Sequence, residues 1–367
     1  MRRTSILFAS LLVICGSLQT TRADEPARLR ITDGQVADAG TASLSDAATA
    51  SEPGVTYQSM ETDSIFAEPS YPWYARTEAI FLRRTPISGQ PVIVEDLNAG
   101  VGPLNTVERV NENDLSFNNN AQPAFGFTIG RQLDAVSTFE ASYWGLFHWT
   151  SGTVNYGANS LSLSGPVAIT TQDFFLADEV AISYVSNLNN MELNYKQTIN
   201  GLSLLGGFRL LNLSEDFNIR SHDVDSGTSN YRIKTVNTLI GGQIGAGWNW
   251  SSSDRFSLEL FSKVGVYGNI QRMTQTLYDL NNTLPRLNAR DGSTHVGFVG
   301  EVGLNGKIRL TEWLTLNGGY RFMWIDGLAL APNQLDFSDI SSPDRTISDP
   351  GASFKLYGPH AGIEFHW

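Results

Sequence analysis

From Tyr71 onward, apolar and polar residues alternate in one segment after another, the period-two pattern of a strand with two unlike faces. The pattern predicts ten strands, at about 72–84, 122–131, 134–150, 178–198, 201–214, 231–250, 254–271, 293–310, 312–326 and 352–367. Within 178–198 the parity of the apolar positions changes near Asn189-Asn190, which reads as a bulge in one strand or a tight turn between two. The last segment, Leu356 to Trp367, keeps Tyr357, Ala361, Ile363, Phe365 and Trp367 on one face and His360, Gly362, Glu364 and His366 on the other.

The links between segments alternate in length. Arg131 to Asp134, Thr198 to Gly201, Trp250 to Asp254 and Leu310 to Glu312 are tight, whereas 85–121, 151–177, 215–230, 272–292 and 327–351 are long and rich in Asn, Asp, Ser and Gly. An even strand number with short turns on one side and long loops on the other is the plan of an outer-membrane barrel. The expected fold is therefore an all-β, transmembrane antiparallel up-and-down β-barrel of about ten strands over 71–367, with both of its ends in the periplasm. Twelve strands is the fallback, if loop 85–121 hides a hairpin at Pro91 to Asp96. Glycines within the segments, such as Gly206-Gly207 and Gly241-Gly242, weaken a strand but permit the bends that closure needs.

A soluble sandwich or barrel alternates as well. Two features favour the membrane. The polar faces carry many opposite charges, and tryptophans gather at strand ends on the apolar face: Trp73, Trp248, Trp250 and Trp367 at the turn end, Trp149 and Trp324 at the loop end. Such aromatic girdles mark the two membrane interfaces.

The start of the chain changes the picture of where it goes. Met1-Arg2-Arg3, the apolar run Ile6 to Ile14 and the small residues of Thr21-Arg22-Ala23 read as a secretory signal peptide (1–23) cleaved after Ala23. The sole cysteine, Cys15, falls inside it, and Ile14 is a poor neighbour for lipidation, so an exported chain without thiols is expected. Residues 24–70, rich in Ala, Ser, Thr, Asp and Gly without periodicity, read as a disordered periplasmic linker. No apolar run long enough for a membrane helix follows the signal. A net charge of −12 excludes nucleic acid as a partner, because phosphate binding needs clustered Lys and Arg.

Four stretches resemble the beta-barrel porin-7 family, best represented in planctomycete bacteria. They are Leu205-Gly-Gly-Phe-Arg-Leu-Leu-Asn-Leu-Ser-Glu215, Asn237-Thr-Leu-Ile-Gly-Gly-Gln-Ile-Gly245, Gly319-Tyr-Arg-Phe-Met-Trp-Ile-Asp-Gly-Leu-Ala-Leu-Ala331 and Gly358-Pro-His-Ala-Gly-Ile-Glu-Phe-His-Trp367. The resemblance runs from about residue 71 to the end. It implies an outer-membrane barrel in contact with outer-membrane lipids, inserted by the barrel-assembly machinery through its terminal strand. It implies no functional residues and leaves the oligomeric state open.

The parity of Trp367 assigns the opposite face to the lumen. That face carries Arg76, Glu78, Glu140, Glu192, Lys196, Arg209, Glu259, Lys263, Glu301, Lys307, Arg309, Arg321 and Glu364, six acids among seven bases. A ten-stranded barrel is little wider than one its own side chains can fill. Two readings stay open: a salt-bridged plug, or a narrow polar pore in which Glu78, Glu140, Arg209, Glu301 and Arg321 set selectivity for small polar solutes or ions.

Two further classes compete. An enzyme would draw on His148, Asp178, Glu179, His295 and Asp326 near the loop-side rim, but no hydrolase or nucleotide motif occurs, so neither catalytic residues nor cofactors are expected. Surface recognition or adhesion would use the acidic loops. Neither Asn333, Asp336, Asp339, Asp344 and Asp349 nor Asp223-Val-Asp225-Ser-Gly227 has the ordered spacing of a calcium loop, and no metal is expected.

Overall fold

The computed structural model describes residues 71–367, apart from 87–88, 99–100, 116, 118–120, 172–173, 254, 280 and 339–344. The predicted signal peptide and linker lie outside the described residues, as do Asp339 and Asp344.

Among the described residues twelve strands form one antiparallel sheet: β1 (Trp73–Arg84), β2 (Pro91–Asp96), β3 (Thr106–Asn111), β4 (Gln122–Gln132), β5 (Ser137–Leu163), β6 (Ala177–Ile199), β7 (Leu202–Asp223), β8 (Gly227–Ser253), β9 (Phe256–Asp279), β10 (Leu284–Arg309), β11 (Leu314–Leu328) and β12 (Ala352–His366). Ten of them close a barrel. Neighbours in sequence pair from β4 to β12, and β1 joins β12 on one side and β4 on the other. The remaining two, β2 and β3, form a hairpin whose ladder to the barrel joins Ile93–Glu95 to Leu161–Leu163 at the far end of β5. The hairpin expected at Pro91 to Asp96 exists, but it adds nothing to the barrel wall because β1 pairs directly with β4.

The turn end carries tight connections. Asn200 (φ +51°) and Gly201 (φ +86°) both adopt left-handed backbone in the two-residue β6–β7 turn, the geometry that matches the strand twist. Trp73 and Trp367 exchange backbone hydrogen bonds of 3.1 and 3.0 Å at this same end, so both ends of the barrel chain face the short-turn side. In outer-membrane barrels this is the periplasmic side.

The other end departs from the expectation of long loops. β7 has 22 residues, β8 27, β9 24 and β10 26, against the 9–11 residues, roughly, that cross a bilayer. The segments 215–230 and 272–292 are thus strand for most of their length, with turns at 224–226 and 281–283. Much of 151–177 is likewise strand, with a single helical turn, α1 (Val167–Thr170), near its end. A β-stem therefore continues the barrel well beyond the membrane.

Along each long strand the side that holds the apolar residues changes between membrane and stem. On β7, Leu204, Phe208 and Leu210 point outward and are exposed, whereas Leu211, Leu213, Phe217 and Ile219 point inward and are buried. β6 does the same: Leu193 and Met191 face out, Leu188, Tyr184, Ile182 and Val180 face in. The parity change at Asn189-Asn190 is therefore neither a bulge in β6 nor a turn, since β6 pairs with β7 without interruption. It marks the height at which the medium outside changes from lipid to water.

A bulge does occur opposite, on β5, between Gly145 and Phe147, with Leu146 at φ +66°. Asn189 serves it: its Oδ1 accepts from the Leu146 amide (3.3 Å) and the Tyr143 hydroxyl (2.7 Å). The extra residue keeps odd numbers apolar while moving them from outside (Phe139, Tyr143) to inside (Phe147, Trp149). Trp149 is thus not part of an interfacial girdle. It is wholly buried, stacked on Phe147 at 4.7 Å between ring centres.

Candidate functional site

Period-two geometry places the predicted charges on the inner wall of the membrane half, where they would be isolated from water unless they paired. They pair extensively. Arg209 on β7 donates to Glu192 on β6 (2.8 Å) and to Glu301 on β10 (2.6 Å), across the barrel. Lys263 on β9 reaches Glu192 at 2.9 Å, and Arg321 on β11 reaches Glu301 at 3.2 Å. A second group joins Arg76 to Glu78 and Glu364 (3.4 Å each) and Lys307 to Glu364 (3.2 Å). Lys196 binds Glu140 at 2.7 Å, and the Tyr74 hydroxyl donates to the same carboxylate.

Glu259 lines the inner wall without an ion pair among the described residues, while Arg309 is exposed at the periplasmic mouth. Of the predicted girdle, Trp73, Trp248, Trp250, Trp324 and Trp367 point outward and are between 37% and 52% exposed. Trp313, in the β10–β11 turn, joins them by stacking on Phe365 (6.2 Å). Trp144 does the opposite: it is buried in the lumen under the Arg321 guanidinium, 5.6 Å from the ring centre.

From the periplasmic side the lumen begins as a vestibule of about 720 Å³ lined by Lys307, Arg309, Glu364 and His366 among others. It narrows to two small chambers of about 80 and 50 Å³ between Arg76, Lys196, Lys263 and Arg321. The charged belt thus leaves room for a few water molecules and little more.

Beyond the belt the lumen is closed. The link between β11 and β12 enters the stem instead of lying outside it, and Leu328, Ala329, Leu330, Ala331 and Gln334 are completely buried. A ladder of inward amides holds this strap by its backbone. Asn237 donates from Nδ2 to the Ala329 carbonyl (2.8 Å) and accepts at Oδ1 from the Ala329 amide (2.8 Å). Asn269 donates to the Gly327 carbonyl (2.7 Å), Gln271 to the Pro350 carbonyl (2.8 Å) and Gln275 to the Gln334 carbonyl (2.7 Å).

One further tie is ionic. Arg84 and Glu215, both fully buried, meet at 2.6 Å, and the second Glu215 oxygen accepts from the Ala331 amide at 2.8 Å. Arg84 lies against the Phe354 ring, 4.0 Å from its centre. Burial holds the Tyr184 hydroxyl well above its ordinary range, so it stays protonated and donates to Glu215 at 2.7 Å.

Reading the residues alone missed this pair and the amide ladder. Arg84 shares the parity of Arg76 and Glu78 and could have been found by extending it; Glu215, Gln275 and the strap fell in segments read as loop.

The rim residues considered for catalysis do not converge. His148 faces outward on β5 and contacts Asn187 (2.8 Å). His295 is on β10, which is not a neighbour of β5, and Asp326 is on β11. Asp178 instead accepts the backbone amides of Asn159 (3.1 Å) and Val224 (3.0 Å), and Glu179 lies 3.9 Å from Arg220. The loop acids have structural tasks. Asp223 caps its own turn through the amides of Asp225 and Ser226, Asp336 binds Arg345, and Asp349 accepts from Asn333.

Comparison with known proteins agrees with this architecture. Residues 74–361 match the family described as Putative beta barrel porin-7, and the chain belongs to that family. It is an outer-membrane β-barrel. No curated protein matches its sequence. Among solved structures it is similar to the outer membrane protease OmpT from Escherichia coli, at 12% identity, with 81% of this chain and 97% of that chain covered and a TM-score of 0.46. It is also similar to the P. putida toluene transporter TodX, at 9% identity, 81% and 90% coverage and a TM-score of 0.29. Likenesses at this level carry no argument about substrate.

Proposed function

We propose that this protein is a non-enzymatic structural barrel of the outer membrane that is shut at rest, and that small polar solutes or ions pass only when the strap leaves the stem. The observation that carries this reading is the double closure: a paired charged belt in the membrane half and, beyond it, a strap tied to the wall through its backbone. An open porin would need a continuous aqueous path, and diffusive channels are built from many more strands.

The manner of attachment supports a strap that can leave. Asn237, Gln271 and Gln275 bond to strap backbone groups, and Asn269 to the Gly327 carbonyl at the end of β11, all of which water could satisfy in their place. A permanent plug could be held by apolar packing alone. The belt charges would then act as a filter reached from the vestibule, with Arg209, Glu301 and Arg321 at its narrow part.

Planar-bilayer recording tests both statements. The intact protein is expected to give no single-channel steps above background, and a variant with residues 328–335 replaced by a short Gly-Ser link is expected to conduct. Steps from the intact protein would overturn the closed state; a silent but folded strap variant would overturn the gate.

A further inference from the structure

The outer surface of the stem carries a basic cluster that the lumen does not explain. On β9 the outward residues Val264, Val266 and Ile270 are apolar and exposed, and the next outward residue is Arg272. The register sets what surrounds it. Arg272 lies between Val236 on β8 and Gly292 on β10; one step further out, Thr274 lies between Lys234 and Arg290; the step after that begins with Arg232. Lys234, Arg272 and Arg290 therefore surround the Thr274 hydroxyl, with the two flanking strands about 10 Å apart.

All four basic residues are exposed. Among the described residues Asp216 is the acid that engages them, meeting Arg232 (Nε to Oδ1, 2.7 Å) and Lys234 (3.6 Å). Arg272 and Arg290 have no ion pair or hydrogen bond to the described residues. Gly292 beside Arg272 puts no side chain over it.

Position gives this cluster its meaning. It sits one to three side-chain steps beyond Ile270, the last exposed aliphatic residue on the outward face of β9, where the apolar band of that strand ends. Guanidinium groups bind phosphate bidentately, and three cations in a patch of this size match a phosphorylated headgroup. We propose that Lys234, Arg272 and Arg290 form a binding site for the phosphate groups of an outer-leaflet lipid, seated on the β8–β10 face.

Native mass spectrometry of the full-length protein in detergent tests the proposal, with diphosphorylated lipid A as the probe and dephosphorylated lipid A and inorganic phosphate as comparisons. The intact protein is expected to retain diphosphorylated lipid A in preference to the dephosphorylated form. Replacing Lys234→Gln, Arg272→Gln and Arg290→Gln together should weaken retention on the order of a hundredfold at low salt, at roughly fivefold per cation, while heat-modifiable gel mobility stays unchanged. Arg290→Gln alone should weaken it about fivefold, which keeps the test open if the triple variant folds poorly. Equal retention of the two lipids, undiminished retention by the variants, or occupancy by inorganic phosphate that lipid A does not displace would each overturn the proposal.

Discussion

The membrane half and the stem are made from the same strands, yet their cross-sections are inverted. In the membrane half apolar side chains such as Ile244, Phe208 and Val264 face out, while the inner wall is charged. In the stem Leu213, Phe217, Tyr231 and Ile233 fill the interior and Asn212, Ser214, Asn218 and Arg232 face outward. The covalent chain and the hydrogen-bonded ladder continue without a break. What differs is the solvent on the outside, and each half turns its apolar face away from water. The comparison also distinguishes two kinds of buried charge. The belt is built on shared carboxylates: Glu301 has Arg209, Arg321 and Lys263 in reach, and Glu364 has Arg76 and Lys307. In the stem, Arg84 has one carboxylate among the described residues, Glu215, together with the Ser186 and Tyr184 hydroxyls, in a surround that is otherwise aromatic and aliphatic.

That difference can be broken most sharply at Glu215. Glu215→Ala leaves the Arg84 guanidinium buried without its counter-charge and frees the Ala331 amide, so a stability loss of about 3–5 kcal/mol is expected, measured by denaturant unfolding of the detergent-solubilised barrel. A loss under about 1 kcal/mol would show that water reaches Arg84 and that the stem interior is not dry.

The inversion predicts opposite answers to one substitution made on two outward positions. Ile244→Arg places a charge on the lipid face and should cost about 2–4 kcal/mol near the bilayer midplane. Thr276→Arg, also outward but on the stem, should stay within about 0.5 kcal/mol. Equal costs at both sites, read by unfolding in lipid vesicles, would mean that the apolar band does not end near Ile270.

The smallest expected effect is confined to the β2–β3 hairpin. Glu112 follows β3, and burial raises its carboxyl to about 7, with the Asp349 charge adding to the rise. A carboxyl whose folded pKa lies above its unfolded one favours the folded state while protonated. Stability is therefore full below about 4.5 and falls as pH rises toward about 7. Amide exchange in β2 and β3, corrected for intrinsic rates, should accelerate across that window, and Glu112→Gln should remove the acceleration. An unchanged profile in the variant would detach the effect from Glu112.

Much of the barrel was legible in the alternation. Ten wall strands, their order, the tight turns and the inward parity of Arg209, Glu301 and Glu364 all follow from residues two apart lying on one face. The upper parts of the strands were less legible, because a strand that leaves the membrane keeps its period but exchanges its faces. Gln275 then looks like a loop residue between threonines, and the β5 bulge hides the exchange at Trp149 altogether. The strap could not be read from alternation, because Leu328 to Leu335 has no period and is held through its backbone.

By itself, then, the sequence determined that these strands close into a barrel and which residues share a face, since both are local properties of an alternating chain. The tertiary structure alone decided how far the strands run, which face is inside at each height, and that the strap enters the stem. Those outcomes depend on partners more than fifty residues away in sequence, as when Asn237 meets Ala329 or Arg84 meets Glu215, and no local pattern encodes contacts of that range.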